Sequence, residues 1–112
     1  MKKSQRLEPI LDISKMKEKD AAKVMVDYRQ KLQKNEDKLS ELINYRDEYM
    51  KKYNEAGSAG MGVRKVNEFR HFIYKLDEAI KHQQAILEQS RKEYGYKLAL
   101  WKSYRSKDKA VE

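Results

Sequence analysis

The feature that most constrains the fold is a row of six apolar side chains that recur every seven residues in the second half of the chain. They are Val66, Ile73, Ile80, Leu87, Tyr94 and Trp101. A seven-residue repeat drifts by about 20° per heptad on a helix of 3.6 residues per turn, so the helix must wind around a partner. The first half repeats the spacing with Met25, Leu32, Leu39, Arg46 and Tyr53, flanked by Tyr28, Ile43 and Met50. The two rows predict a left-handed coiled coil.

A glycine-rich segment separates the two rows and predicts how they pair. It holds three of the four glycines in the 112 residues. Because ordering glycine is entropically expensive, a helix should end there. We therefore expect an all-α fold, a long antiparallel two-helix coiled-coil hairpin. The expected organisation is a flexible N-terminus over 1–8, helix one over 9–55, a loop over 56–63 and helix two over 64–110. Pro9 and Ser14 are competing starts for helix one.

Composition argues against an enzyme and against a membrane protein. With 39% charged and 39% hydrophobic residues, the chain should form a narrow seam without an enclosed catalytic pocket. No cysteine is present, which excludes disulfides and thiol chemistry. The glycine segment lacks the Lys-Ser/Thr of a phosphate-binding loop, and His71 and His82 would lie about 16 Å apart along a helix. We expect no cofactor or metal, no secretory signal and no membrane span, since no apolar run approaches the roughly 20 residues needed.

Charge is distributed unevenly along the chain. Residues 1–34 carry ten basic and five acidic side chains, residues 35–88 carry nine and ten, and residues 89–112 carry seven and three. In a hairpin the first and last segments lie together at the open end. That end is therefore predicted to hold the positive charge and to favour acidic partners.

A second apolar pattern lies beside the predicted seam, on residues 42–49 and 72–79. An antiparallel hairpin centred on residues 60–61 places three residues of helix one opposite three of helix two. The pairs are Leu42 with Ala79, Tyr45 with Leu76, and Tyr49 with Phe72. An apolar patch on the flank of a hairpin is typical of a partner site. A wider core and the seam of a homodimer or bundle are the alternatives.

At these residues the chain resembles the FliJ family, the small coiled-coil components of the flagellar type III export ATPase complex. The resemblance runs from the Asp20-Ala21-Ala22 region to Trp101. It is most specific at Leu42-Ile43-Asn44-Tyr45, Glu48-Tyr49, Phe72-Ile73, Leu76 and Ala79-Ile80. It implies a hairpin similar to the γ-subunit stalk of rotary ATPases. Members of the family often extend further at the C-terminus, which fits either a short homologue or a shortened chain.

The resemblance also implies partners and surfaces. The partners would be the hexameric export ATPase FliI, its regulator FliH, the export gate protein FlhA and export chaperones, in the cytoplasm at the inner-membrane face of the flagellar base. The family's FlhA-facing surface matches Leu42, Tyr45, Tyr49, Phe72, Leu76 and Ala79. At the edges of that surface this chain departs from the family, with Lys38 in place of a glutamine and Gln83 in place of a histidine.

The basic open end is the expected contact with the ATPase ring. The side chains that would meet an acidic ring surface are Lys15, Lys17, Lys19, Lys23, Arg91, Lys92, Lys97, Lys102 and Arg105. A solvated helix face is the alternative for each of them.

Three other functions remain open at the level of the sequence. The net charge of +8 and the eight tyrosines are compatible with non-specific nucleic-acid binding, although no recognisable module is present and nucleic acid is not the expected partner. A generic basic coiled-coil adaptor is the second alternative. A membrane-surface helix is the third, and it is disfavoured because the partner helix should cover the apolar stripe.

Overall fold

The chain folds into two long α-helices joined by a short loop. A computed structural model describes residues 2–57, 60 and 62–111, and the side chains of residues 9–107 apart from 11, 56, 58, 59 and 61. Helix α1 is Lys2–Ala56 and helix α2 is Val63–Val111. Neither helix, within the described residues, contains an apolar stretch that could cross a membrane. The predicted all-α hairpin is confirmed.

Glycines terminate α1 and precede α2. Gly57 follows the last residue of α1 with a φ of 75°, the left-handed conformation in which helices commonly end and which glycine adopts without a Cβ penalty. Its carbonyl accepts a hydrogen bond from the Gly60 amide at 3.3 Å, and the Gly62 carbonyl accepts one from the Val66 amide at 3.2 Å. Ser58, Ala59 and Met61 of the predicted loop lie outside the described residues.

The chain divides into two compact units. The terminal unit comprises residues 1–33 and 89–112, and the loop unit comprises residues 34–88. Both helices contribute to each unit. In each unit the two helices are antiparallel. Residues further along α1 contact residues that come earlier in α2. In the loop unit Asn35 meets Gln83 and Tyr53 meets Phe69. In the terminal unit Tyr28 meets Lys97 and Lys31 meets Glu93.

In the loop unit the interhelix seam contains two rows of side chains from each helix. On α2 one row is the predicted apolar repeat, and the other is Phe69, Leu76 and Gln83, of which Leu76 and Gln83 are buried. On α1 the second row contains Asn35, Leu42 and Tyr49, all half-buried. Rows separated alternately by three and four residues are the pattern expected of a coiled-coil seam.

In the terminal unit the same spacing continues, but the second row is more polar. Ala21 and Ser90 are buried, and Tyr28, Lys97 and Tyr104 are half-buried. Ser90 and Lys97 are therefore polar members of this row. The amine of Lys97 lies 5.2 Å from the centre of the Tyr28 ring, which gives the charge a favourable partner.

The helices span Lys2–Ala56 and Val63–Val111, where the expected ranges were 9–55 and 64–110. Helix α1 begins at Lys2, and Pro9 lies inside it, whereas we expected a start at Pro9 or Ser14. A proline within a helix loses the hydrogen bond from its missing N–H, here to the carbonyl of Gln5, and its ring crowds that same carbonyl. The helix nevertheless extends through this position.

Candidate partner-binding surfaces

Five aromatic rings form a continuous cluster in the loop unit, which we call the aromatic cluster. Helix α1 contributes three tyrosines and α2 contributes two phenylalanines: Tyr45, Tyr49, Tyr53, Phe69 and Phe72. The Tyr53 and Phe69 rings stack at 3.9 Å, and Tyr49 stacks on Phe69 at 5.3 Å. Tyr49 lies 4.4 Å from Phe72, and Tyr45 meets the Phe72 ring edge-on at 5.9 Å. The cluster joins the two helices ring by ring.

The six residues predicted as the gate-facing patch occupy two different environments. Leu76 is only 8% exposed, and Leu42 and Tyr49 lie half-buried in the second row of the seam. Tyr45 is 50% exposed, while Phe72 and Ala79 are half-buried on the flank. The prediction that all six lie outside the seam is therefore wrong. Leu76 is a core residue, and Tyr45 is the member of the six most accessible to a partner. Whether they bind a gate protein stays a prediction.

Lys38 and Gln83, the two positions at which this chain differs from the family at the edges of the patch, lie in different environments. Gln83 is 2% exposed, so it lies in the interior and does not edge an exposed surface. Its Nε2 donates to the backbone carbonyl of Asn35 at 3.1 Å and to the Asn35 Oδ1 at 3.4 Å. Lys38 is exposed and remains available to a partner. The sequence-based interpretation of Gln83 as an edge residue is wrong because that position belongs to the second seam row.

Two members of the aromatic cluster are not among the predicted surface residues. The sequence pattern places Tyr53 in the seam alone, and Phe69 belongs to neither predicted apolar pattern. Spacing could have found Phe69, because it lies seven residues before Leu76 and fourteen before Gln83. Arg46 is the charged member of the seven-residue row of helix one. Its side chain is about one-third exposed, and its guanidinium is paired with Asp77.

The whole net charge of the protein lies in the terminal unit. That unit carries sixteen basic and eight acidic side chains, whereas the loop unit carries ten of each. Eight of the nine predicted ring-contact residues are exposed, and Lys97 is half-buried in the seam. The prediction that the first and last segments of the chain lie together is confirmed.

The predicted basic residues do not form one face. Lys15 and Lys19 line a shallow cleft with Glu18, Ala22 and Trp101. Lys17 and Lys97 instead line a separate groove between α1 and α2, described below. The predicted basic residues therefore line at least two separate depressions of the terminal unit.

Comparison with known proteins identifies relatives of the chain. A family model described as "Flagellar FliJ protein" matches residues 2–112. The chain is 28% identical over 96 residues to the flagellar FliJ protein of Escherichia coli (strain K12) and 27% identical over 96 residues to that of Salmonella typhi. Each alignment covers 86% of this chain and 65% of the relative, so the chain spans just under two thirds of these proteins. No solved structure gives a significant match.

Proposed function

The chain belongs to the flagellar FliJ protein family, and on this premise we propose that it is a component of flagellar protein export that connects the export ATPase to the export gate. The observation that carries the proposal is that the net charge and the aromatic cluster lie in different units. The terminal unit holds the full charge of +8, and the loop unit is neutral and holds the aromatic cluster. A protein with two such surfaces can engage two different partners.

The terminal unit would contact the ATPase ring FliI. Its exposed lysines and arginines are suited to an acidic ring surface, and attraction between exposed charges is screened beyond about 10 Å at 0.1 M salt. The test is ATP hydrolysis by purified FliI with and without this chain, at low and high salt. We expect stimulation that falls as salt rises.

A charge-reversal variant and a matched control sharpen this test. The variant Lys15→Glu/Lys19→Glu/Lys102→Glu reverses three exposed charges of the terminal unit and should abolish stimulation. The control Lys51→Glu/Lys52→Glu/Lys65→Glu makes the same change at three exposed lysines of the loop unit and should retain it. Equal loss in both would refute a specific role for the terminal unit, and loss in neither would refute electrostatic docking.

The loop unit would contact the cytoplasmic domain of the gate protein FlhA through the surface around Tyr45. Tyrosine offers a large contact area with few rotatable bonds, and truncating one that anchors an interface typically costs about 1–4 kcal/mol of binding free energy. Tyr45→Ala should weaken FlhA binding by this amount in a calorimetric titration. Tyr74→Ala is the control, because Tyr74 is 62% exposed on the same unit but outside the aromatic cluster. Equal affinities for the parent and Tyr45→Ala would exclude this surface.

The regulator FliH and the export chaperones complete the proposed set of partners, and peripheral association with the inner membrane would follow from binding the gate. In this proposal the chain performs no chemistry of its own. It promotes assembly and activity of the ATPase and delivery of export substrates by holding the ring and the gate to one another.

A further inference from the structure

A groove runs between α1 and α2 in the terminal unit, and nothing in the proposed contacts with ring and gate uses its apolar lining. Two adjoining depressions share Lys17 and Tyr104. We call the combined feature the lysine-rimmed groove. Its apolar lining includes Ile10, Ile13, Val24 and Leu100, and Lys17 and Lys97 lie along it.

The apolar lining of this groove is unusually accessible. Ile10 and Ile13 are each just over half exposed, Leu100 is 44% exposed and Val24 is 39% exposed. Single exposed apolar residues are ordinary, but four aliphatic side chains along one groove form a contiguous surface of the kind that marks an interaction site. From Ile10 to Val24 the lining extends about 21 Å along α1, at 1.5 Å per residue. That length matches about four turns of a third helix.

The charge along the groove selects the chemistry of the occupant. Lys17, Lys97 and Lys107 line it, with Asp20 as the acidic residue among the described lining. We propose that the lysine-rimmed groove binds an amphipathic α-helix of a partner protein, with an apolar face bordered by Asp and Glu. The helix would add a third member to the bundle, burying its apolar anchors between α1 and α2 while its carboxylates meet the lysines.

Two other occupants fit the observations less well. A lipid surface is flat, whereas the apolar side chains line a depression between two helices and are partly covered, as the half-buried Tyr104 shows. A second copy of this chain would bring one terminal unit of charge +8 against another, and that repulsion opposes association. The proposal does not depend on the ring or gate assignments, and its test uses neither of those proteins.

The test is a binding titration of the whole chain with a synthetic helical peptide of about four turns. The peptide carries leucine on one face, glutamate on both borders of that face and a fluorescein label. A second peptide has lysine in place of every glutamate. We expect the acidic peptide to bind with affinity that decreases with salt, and the basic peptide to bind at least about tenfold more weakly because its charges repel the rim.

Two valines on α1 provide a matched pair of variants. Val24 lines the groove, and Val26 is 44% exposed but does not line it. Val24→Asp should weaken binding of the acidic peptide about tenfold or more, because it buries a carboxylate of the wrong sign against an apolar face. Val26→Asp should change binding by less than about twofold, since an exposed charge is screened. Circular dichroism should show the same helicity in both variants.

Several outcomes would overturn the inference. Equal effects of the two substitutions, or equal binding of the two peptides, would show that the groove does not select an acidic helix. Cosedimentation with phosphatidylglycerol vesicles that Val24→Asp abolishes, without peptide binding, would assign the groove to lipid. A dimer in sedimentation analysis that Val24→Asp dissociates would assign it to a second copy. None of these three results would change the outcome expected in the FliI and FlhA assays.

Discussion

Two tyrosines that look equivalent in the sequence should have opposite roles in the protein. Tyr49 lies half-buried in the seam and its ring contacts both Phe69 and Phe72. Tyr45 is 50% exposed and makes one edge-on contact with Phe72. We expect Tyr49 to hold the two helices together and Tyr45 to be available to a partner. Replacing each in turn by alanine distinguishes the two roles.

The structure sets the size of the difference. Removing a fully buried phenylalanine ring costs about 3–5 kcal/mol of stability, and each aromatic pair adds about 0.5–1.5 kcal/mol. Half burial and two ring contacts give about 2–4 kcal/mol for Tyr49→Ala. Half exposure and one contact give about 0.5–1.5 kcal/mol for Tyr45→Ala. The gain in helix propensity from alanine, about 0.5 kcal/mol, is common to both and cancels in the comparison.

Equilibrium unfolding in urea, followed by far-ultraviolet circular dichroism, measures both values. We expect Tyr49→Ala to lower the free energy of unfolding by about 2 kcal/mol more than Tyr45→Ala, the difference between the midpoints of the two ranges, with an unchanged dependence on urea concentration. A double-mutant cycle of Tyr49→Ala with Phe69→Ala should give a coupling of about 0.5–1.5 kcal/mol. Equal destabilisation by the two tyrosine variants would refute the assignment of Tyr49 to the seam and Tyr45 to the surface.

Three further substitutions test the helix ends and the buried amide by the same unfolding measurement. Gly57→Ala should destabilise by about 1 kcal/mol, because its φ of 75° disfavours a Cβ although open space surrounds it; no loss would contradict the left-handed helix end. Gly95→Ala should stabilise by about 0.5–1 kcal/mol, since Gly95 lies within α2 with open space where a Cβ would point, and a loss would reveal a packing role. Gln83→Ala should destabilise by about 1–3 kcal/mol through the lost hydrogen bonds to Asn35, and a stabilised variant would show that this buried amide is not supported by its contacts.

The sequence was sufficient to predict the hairpin because its strongest signals are local and independent. Six apolar residues at a spacing of seven define one row of the seam, and three glycines within six positions end the first helix. Both signals depend on helix geometry alone. The structure bears them out, with Leu87 buried in the predicted row and Gly57 in a left-handed conformation directly after Ala56.

A search for apolar residues finds only part of the second row of the seam. It contains Asn35, Gln83, Ser90 and Lys97, and polar side chains ordinarily indicate an exposed face. Their burial depends on interhelix contacts, such as the Gln83 hydrogen bonds to Asn35, that spacing does not reveal. An apolar search instead selects residues such as Ile43 as flanks of the seam, although Ile43 is 37% exposed. Including such flanking residues shifts the predicted seam to the wrong face of α1. Leu42 and Tyr49, which lie in the seam, are then predicted to lie on the surface.

The sequence predicts which part of the chain holds each candidate site. It predicts less accurately which side chains of that part are exposed. The predicted aromatic patch lies within the loop unit and the excess of basic residues within the terminal unit, as their positions in the sequence indicate. The lysine-rimmed groove escapes sequence-based prediction because its lining residues come from distant parts of the sequence. Ile10 and Val24 meet Leu100 and Tyr104 only once the helices are paired.

The arrangement of aromatic residues provides each unit with its own optical signal. Trp101 is the single tryptophan of the protein and lies in the terminal unit, with the Arg105 guanidinium 5.5 Å from its ring. Both phenylalanines and the stacked tyrosine rings lie in the loop unit. Selective excitation of tryptophan therefore observes the terminal unit alone, while the phenylalanine bands of the near-ultraviolet dichroism come from the loop unit alone, because both phenylalanines lie there. An unlabelled sample can report which of the two units a partner has engaged.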